Sequence, residues 1–549
     1  MTPAGRSLSW SWPMRVVGAA AGGLWCATGF PPTAWWAAAF LGIFLLVLSS
    51  GETLGSACVA GASFGVAFWA TLLGWLTAYL GIVPWAALSL FMAAWTLLAT
   101  VTAAWVVARM RSPLFRAASW SVVFVLWESL SSRVPWGGFS WGRLAVSQVG
   151  GPFTGLASWL GAPAVSLLVA FLGSLPAMVV QVTGGCRLRA PVRLGLSGLR
   201  RSNPHRLRLG LCWGAVALLG ALPAWGTLAP TSGELRVAAV QGNAQAGLFT
   251  NVTPGSILSD QLRASQAVVT RRFNVMVWPE NSVNLDLSES PSAQRRLRAF
   301  VSKMGRPLVF GSLRTDSRGR LFNTIVVLTP AQARRGAPFS EWQRLDKRHL
   351  VPFGEYLPAR RLWDAIVPGL AGLLPRDFSP GSGDGVLRAA GVRAGILVCF
   401  EVTDDDLAAG AIGAGAQVFL APSNNSDFGR TQESAQQLQS ARLQAVTTGR
   451  WVVNVSTVAS SGLVSSDGGV THRLQDFRPG AFVASVPLRE TRSPAALLGP
   501  LWEASTLGCG WGLLLGSALT GLGEWVTRRR SERSQRRGAA YRAGTRSAR

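Results

Sequence analysis

The feature that most constrains this chain is a series of apolar runs interrupted once. Runs near 14–30, 34–50, 56–80, 84–108, 117–132, 156–182 and 209–228 follow one another closely, and an eighth lies near 499–525. A bilayer core is crossed by roughly 20 apolar residues in a helix. In lipid, a helix satisfies every backbone N–H and C=O internally, so these runs can only be helices. The first run is not a cleaved leader, because it has no small-residue cleavage site and further runs follow at once. The expectation is a polytopic α-helical membrane domain of about eight spans, seven of them within residues 1–228 and the eighth within 491–526. The composition agrees: 49% of residues are hydrophobic and only 14% charged, too apolar for an ordinary soluble chain.

The formal charge of +26 admits two readings, and its distribution separates them. Only two of the 52 basic residues are lysines, Lys303 and Lys347. The arginines cluster at run ends: Arg6 and Arg15, then Arg109, Arg111 and Arg116, then seven from Arg187 to Arg208, and a tail over 527–549. In an eight-span topology all of these fall on one side. The positive-inside rule makes that side the cytoplasm, with both termini in it. A polybasic tail beside a span also attracts anionic lipid. Nucleic-acid binding is disfavoured, since these arginines lack interleaved aromatic residues. The interval after residue 228 then lies on the outer face of a bacterial cell membrane, with the loop Arg133–Trp141, whose tryptophans suit an interface. Glu128, near the outer end of the fifth run, is either a functional carboxylate or one close enough to the interface to be hydrated.

Residues 229–490 are long enough for one large domain. Short apolar runs predict strands at Leu235–Gln241, Val275–Pro279, Leu308–Leu313, Thr324–Leu328, Gly395–Cys399, Val418–Ala421, Trp451–Ser456 and Phe482–Val486. Helical patterns fall near 254–272, 291–304, 404–413 and 431–449. Strands alternating with helices imply an α/β domain, and unbroken apolar strands imply a sheet covered on both faces. Six cysteines without CxxC spacing and three histidines offer neither a disulfide framework nor a metal site, and no cofactor motif is present.

Three predicted strand ends carry chemistry. Val277-Trp278-Pro279-Glu280 puts a carboxylate just past a strand. Asp346-Lys347-Arg348-His349 holds one of the two lysines, and Leu397-Val398-Cys399-Phe400-Glu401 ends a strand on a cysteine. Cys399 alone reads as a small buried hydrophobe, Lys347 as a surface lysine and Glu280 as a salt-bridge partner. Together they have a second reading. A thiol attacks an acyl carbonyl as thiolate. A carboxylate raised by burial can take its proton. A compact ammonium can stabilise the oxyanion.

In these residues the chain resembles the nitrilase superfamily of carbon–nitrogen hydrolases. The spans around the domain make it similar to the membrane members of that superfamily, the apolipoprotein N-acyltransferase family. The motifs are Val240-Gln241-Gly242-Asn243, Trp278-Pro279-Glu280, Lys347 through Tyr356, Cys399-Phe400-Glu401, Ser423-Asn424-Asn425 and Arg442 through Arg450. The resemblance implies a nitrilase-like α-β-β-α sandwich in which Glu280 is base, Lys347 oxyanion support and Cys399 nucleophile. Glu355 and Glu401 are the supporting carboxylates. It implies an acyl chain passing from a phospholipid donor to Cys399 and then to the amino group of a diacylated prolipoprotein, catalysed by a monomer at the lipid bilayer. Phe400 stands where the family often has Tyr. Its Asn-Asp-Ala-Trp-Phe-Gly segment reads here Asn424-Asn425-Ser426-Asp427-Phe428-Gly429.

The stretch Leu362–Pro375 is apolar, broken by glycine and proline, and too short to span. It reads as a loop dipping into the outer leaflet or as ordinary core. The expected substrate contacts are Trp363 and Leu370 in that stretch, with Phe400 and Asn425. Two other functions remain open on residues alone. One is a membrane-anchored amidase or nitrilase, whose thioester is taken by water. The other is a transporter or scaffold, against which stand the intact triad and the lack of internal repeats.

Overall fold

The computed structural model describes residues 10–51, 53–182, 217–244, 253–366 and 376–546. The arginines of 187–208, residues 209–216 of the predicted run 209–228, and Leu370 lie outside them. Helices of nine residues or more are labelled in chain order. Six precede the α/β part: α1 (Trp12–Ala27), α2 (Ala38–Ser50), α3 (Leu54–Leu72), α4 (Ile82–Val107), α5 (Pro113–Ser131) and α6 (Ala162–Val182). The last helix of the chain is α11 (Pro494–Arg546). Its apolar first half continues without a break into the arginine-rich residues predicted as a separate tail.

Four of these helices, α3, α4, α6 and the 494–533 part of α11, are long and apolar enough to cross a membrane. The expected eight are not all met. α1 and α2 have 16 and 13 residues, about 24 and 20 Å of rise against a core of about 30 Å. α5 has 19 residues but carries Arg116 and Glu128. The helices pack directly: α1 on α2 and α3, α3 on α4, α4 on α5, α5 on α6, and α6 on α2. Gly22 and Gly42 let α1 and α2 touch. A Cβ on Gly42 would stand 2.8 Å from the Gly22 carbonyl oxygen, closer than side chains come.

The α/β part has two sheets. One runs β13-β1-β2-β4-β5-β6 with β3 beside β4; the other runs β12-β11-β10-β9-β8-β7. The strands of the first are β1 (Gly233–Gln241), β2 (Val275–Val277), β3 (Val283–Asp286), β4 (Leu308–Thr315), β5 (Leu321–Leu328), β6 (Gln343–Asp346) and β13 (Gly480–Leu488). Those of the second are β7 (Val386–Ala389), β8 (Val392–Ile396), β9 (Val418–Ser423), β10 (Val452–Ser456), β11 (Gly462–Val464) and β12 (Val470–Thr471).

Alternation sorts the side chains into layers. Val237 and Ala239 of β1 face Val418 and Leu420 of β9 and Val453 and Val455 of β10 between the sheets. Ala238 and Val240 point outward to Leu258 of α7 (Ser256–Ser265) and Leu297 of α8 (Pro291–Met304). Phe419 and Ala421 point the other way. They meet Ala408 and Ile412 of α9 (Asp405–Gly413) and Leu438 and Ala441 of α10 (Glu433–Thr448). The result is the expected order of helices, sheet, sheet, helices. Local signals account for the ends of α8. Ser290 caps the start, Pro291 takes the first helical position, and Gly305 closes the helix at φ 71°.

One correction concerns Cys399. The predicted strand ends at Ile396, and Cys399 opens a 3-10 turn, Cys399–Thr403, at φ 53°. No L-residue continues a strand from that left-handed backbone.

The two parts meet along a polar seam. Arg143 Nη1 donates to Asp405 Oδ2 at 2.7 Å, and Arg133 Nη2 to Asp406 Oδ1 at 3.4 Å. Ser140 Oγ donates to the Thr403 carbonyl at 2.9 Å. Trp141 Nε1 donates to Gln436 Oε1 at 2.6 Å, and Gln436 Nε2 reaches the Leu72 carbonyl of α3 at 3.2 Å. Phe400 stacks against both Phe139 and Trp141, with centroids 5.9 and 6.1 Å away, and those two rings stack on each other at 6.2 Å. Phe428 packs on Trp75 and Tyr79. Arg143→Ala removes the cation from Asp405, which keeps its bond from Gln444 Nε2. It is expected to cost about 3 kcal/mol, read as a lower apparent Tm in detergent. An unchanged Tm would show that the pair does not join the two parts.

Candidate active site

The carboxyl ends of β2, β6, β8, β9 and β10 gather at one edge, where open α/β sheets place their sites. The sequence-expected residues converge there. Glu280 follows β2, Lys347 follows β6, Cys399 follows β8, and Asn424 follows β9.

Lys347 is 2% exposed. Its ammonium donates to Glu355 Oε1 at 3.0 Å and to Glu280 Oε1 at 3.4 Å. Burial works against its charge, but Glu280 and Glu355 outweigh that and hold it protonated well above its ordinary value. Glu280 is bound on both oxygens. Asn323 Nδ2 donates to Oε1 at 2.6 Å, and the Asn424 amide donates to Oε2 at 2.8 Å. Burial raises its carboxyl above the ordinary range, while Lys347 and these two donors pull it back in part. The Glu280 turn passes over Gly311 of β4 so closely that a Cβ there would lie 2.6 Å from Glu280 Cα. A side chain at 311 would therefore displace the carboxylate.

The thiol sits differently from expectation. Cys399 is half-buried, and its nearest recorded partner is Gln437 Oε1 of α10 at 3.9 Å. Gln437 is fixed by its own bond from Nε2 to Ser423 Oγ, 2.7 Å. Burial first, and Glu280 second, push the thiol well above its ordinary value, with Lys347 opposing them. The resting thiol is therefore protonated beside a carboxylate able to accept its proton.

The two supporting carboxylates act through backbone. Glu355 accepts the Val351 amide on Oε2 at 2.8 Å while holding Lys347. Glu401 is fully buried and accepts three amides: Arg348 at 2.7 Å, His349 at 3.0 Å and Val398 at 2.8 Å. It clamps the lysine loop to the cysteine turn. His349 Nδ1 and Asp404 Oδ2 join the same two segments at 2.8 Å.

The expected substrate contacts divide. Phe400 is packed in the aromatic seam and touches the edge of His349 at 5.4 Å. Asn425 is buried at this edge, with its Oδ1 lacking any donor. Trp363 lies farther off, edge-on to Phe353 at 5.4 Å. A cavity of about 560 Å³ opens at the seam beside Arg133, Arg143, His349 and Asp404, and none of Glu280, Lys347 or Cys399 lines it. Sequence reasoning missed Asn323, Glu433 and Gln437. Only the last two left a trace, being polar residues four apart on a predicted helix.

A neutral thiol predicts slow alkylation. The iodoacetamide rate at Cys399 is expected to lag that of a free cysteine peptide near neutrality. It should still climb above about pH 8.5, where the peptide levels off. Lys347→Met, which removes the one cation favouring thiolate, should slow it further. A rate matching the peptide at neutral pH would contradict this electrostatic picture.

Residues 21–175 match the family described as the apolipoprotein N-acyltransferase N-terminal domain, and residues 236–495 match the carbon–nitrogen hydrolase family. An apolipoprotein N-acyltransferase of Mycolicibacterium smegmatis is 32% identical over 90% of this chain and 83% of its own. One of Azotobacter vinelandii is 29% identical over 74% of each chain. Among solved structures, an amidase from Nesterenkonia sp. overlaps 49% of this chain and 96% of its own at 19% identity and a TM-score of 0.36.

Proposed function

The chain belongs to the apolipoprotein N-acyltransferase family, and on that premise we propose that it acylates lipoproteins by way of a thioester on Cys399. The acyl donor is a phospholipid. The acceptor is the N-terminal amino group of an S-diacylglyceryl cysteine. The observation that carries this reading is the convergence of Glu280, Lys347 and Cys399 at a sheet edge that abuts apolar helices.

In the first half-reaction the Cys399 proton leaves its Gln437 acceptor for Glu280, and Sγ attacks the ester carbonyl. The C–O bond breaks, Glu280 returns the proton to the leaving oxygen, and the acyl group remains on sulfur. Two of the three Lys347 N–H bonds point to Glu280 and Glu355; the third serves the oxyanion. In the second half the amine attacks the thioester, the C–S bond breaks, and a proton returns to Sγ. Glu355 keeps Lys347 charged and in place, and Glu401 keeps the lysine loop in register with the cysteine turn.

The setting is a bacterial cell membrane, crossed several times by a monomer with both termini in the cytoplasm. The domain at 229–490 is on the outer side, no cofactor takes part, and nucleic acid is not a partner. Trp363 and Leu370 contact lipid beside the site, and Phe400 and Asn425 contribute from the seam and the sheet edge.

Intact-protein mass spectrometry after incubation with phospholipid tests this. Wild type is expected to gain a fatty-acyl mass that hydroxylamine releases and that a diacylglyceryl-cysteine peptide removes. Cys399→Ala should gain none, and Glu280→Gln should acylate at least about 100-fold more slowly. Loss of the adduct to water at one rate with and without peptide would make the protein a hydrolase instead.

A further inference from the structure

One buried carboxyl near the thiol has no part in the mechanism above. Glu433 opens α10 and is 2% exposed. Its one recorded hydrogen bond comes from Ser434 Oγ at 3.4 Å, and among the described residues no cation pairs with it. A buried carboxylate without a cation is costly, whether it stays neutral or waits for a partner.

Its position points to the second case. Glu433 and Gln437 are four residues apart and so share a face of α10. Gln437 is the residue against the Cys399 sulfur. Glu433 is near enough to help raise the Cys399 thiol, in the turn after β8, and to be raised in turn by Glu280, just past β2. Lys347 is the one cation among these groups, against the carboxyls of Glu280, Glu355 and Glu433. Two amide oxygens of the same edge, Asn281 Oδ1 and Asn425 Oδ1, are buried without a donor. This edge is rich in acceptors and short of donors, and a primary ammonium brings three N–H donors and one positive charge.

We propose that Glu433 receives the ammonium of the acceptor cysteine and takes one proton from it, so that the resulting amine attacks the Cys399 thioester. This rests on the acyl-transfer reading. One N–H bond breaks and its proton goes to Glu433. The freed electron pair forms the N–C bond, the C–S bond breaks, and a second amine proton passes through Glu280 to Sγ. The proton on Glu433 leaves to solvent with the product, which keeps one N–H as an amide. Burial pushes the Glu433 carboxyl up to about 8, so near neutral pH it rests largely protonated and releases that proton to solvent as the arriving ammonium favours its ionised form. The Glu433 value lies close to the ordinary α-amino value of about 7.7–8.0, so transfer between the two is nearly balanced.

The test separates the half-reactions in full-length protein reconstituted with phospholipid. Glu433→Gln is expected to form the acyl-enzyme no more slowly than wild type, yet pass it to a diacylglyceryl-cysteine peptide about 100-fold more slowly. Hydroxylamine, already neutral near pH 7, should discharge variant and wild type equally. Peptide transfer in the variant should climb with pH as the peptide amine loses its own proton. Glu433→Asp, which keeps a carboxyl, should recover most of the transfer. Wild-type transfer by Glu433→Gln overturns the assignment. So does equal slowing of acylation, peptide transfer and hydroxylamine discharge, the mark of a structural role. A wild type that forms no acyl-enzyme overturns the acyl-transfer reading itself, and the role of Glu433 with it.

Discussion

The edge of this domain is arranged around one buried ammonium. Lys347 is nearly inaccessible to water and keeps its charge because Glu280 and Glu355 stand within hydrogen-bond reach. Remove the lysine, and two carboxylates face each other in a site of low polarity. Remove either carboxylate, and the cation loses much of what offsets its desolvation. The same three charges govern the thiol, which Glu280 raises and Lys347 lowers. Thiol, carboxylate and ammonium are thus one electrostatic unit. The backbone around it is held with comparable care, since the single Glu401 carboxylate fixes amides of both the lysine loop and the cysteine turn.

The helix α10 explains how a polar segment comes to lie at the centre of an apolar protein. Gln436, Gln437, Gln439 and Gln444 are all buried. One side of α10 packs on the second sheet through Leu438 and Ala441, while Leu443 and Val446 join the core of the membrane helices. With apolar neighbours on two sides, Gln436 finds Trp141 and the Leu72 carbonyl across the seam, while Gln437 and Gln444 pair within the domain, with Ser423 and Asp405. Hydrogen bonds made in such surroundings are costly to lose, so those of Gln436 help to fix one relative placement of the two parts.

Much of this was legible in the sequence, for physical reasons. Central strands buried on both faces must be apolar without a break, so β1, β4, β9 and β10 stand out. The strands missed were β3, β6, β7, β11 and β12, all but one of five residues or fewer at a sheet margin or off the main path, where solvent dilutes the pattern. Glu280 and Cys399 could be read because each ends an apolar run, and Lys347 because it is one of only two lysines in an arginine-rich chain. The left-handed backbone at Cys399 could not, since nothing in Val398-Cys399-Phe400 demands it; the clamp from Glu401 does. Glu433 was hidden for a different reason. A carboxylate at a helix start ordinarily interacts with the helix dipole in water, and only the fold shows that water is excluded there.

The seam has a consequence for how substrates are chosen. Phe400, the residue after Cys399, is itself stacked into aromatic rings of the membrane-side loop. The sulfur therefore cannot rise or sink relative to the apolar helices without unstacking that cluster. On the acyl-transfer reading, such an enzyme measures depth. A carbonyl carried at the level of the sulfur is reached by lateral diffusion alone, and one held higher or lower is passed over whatever the chemistry of the molecule that bears it.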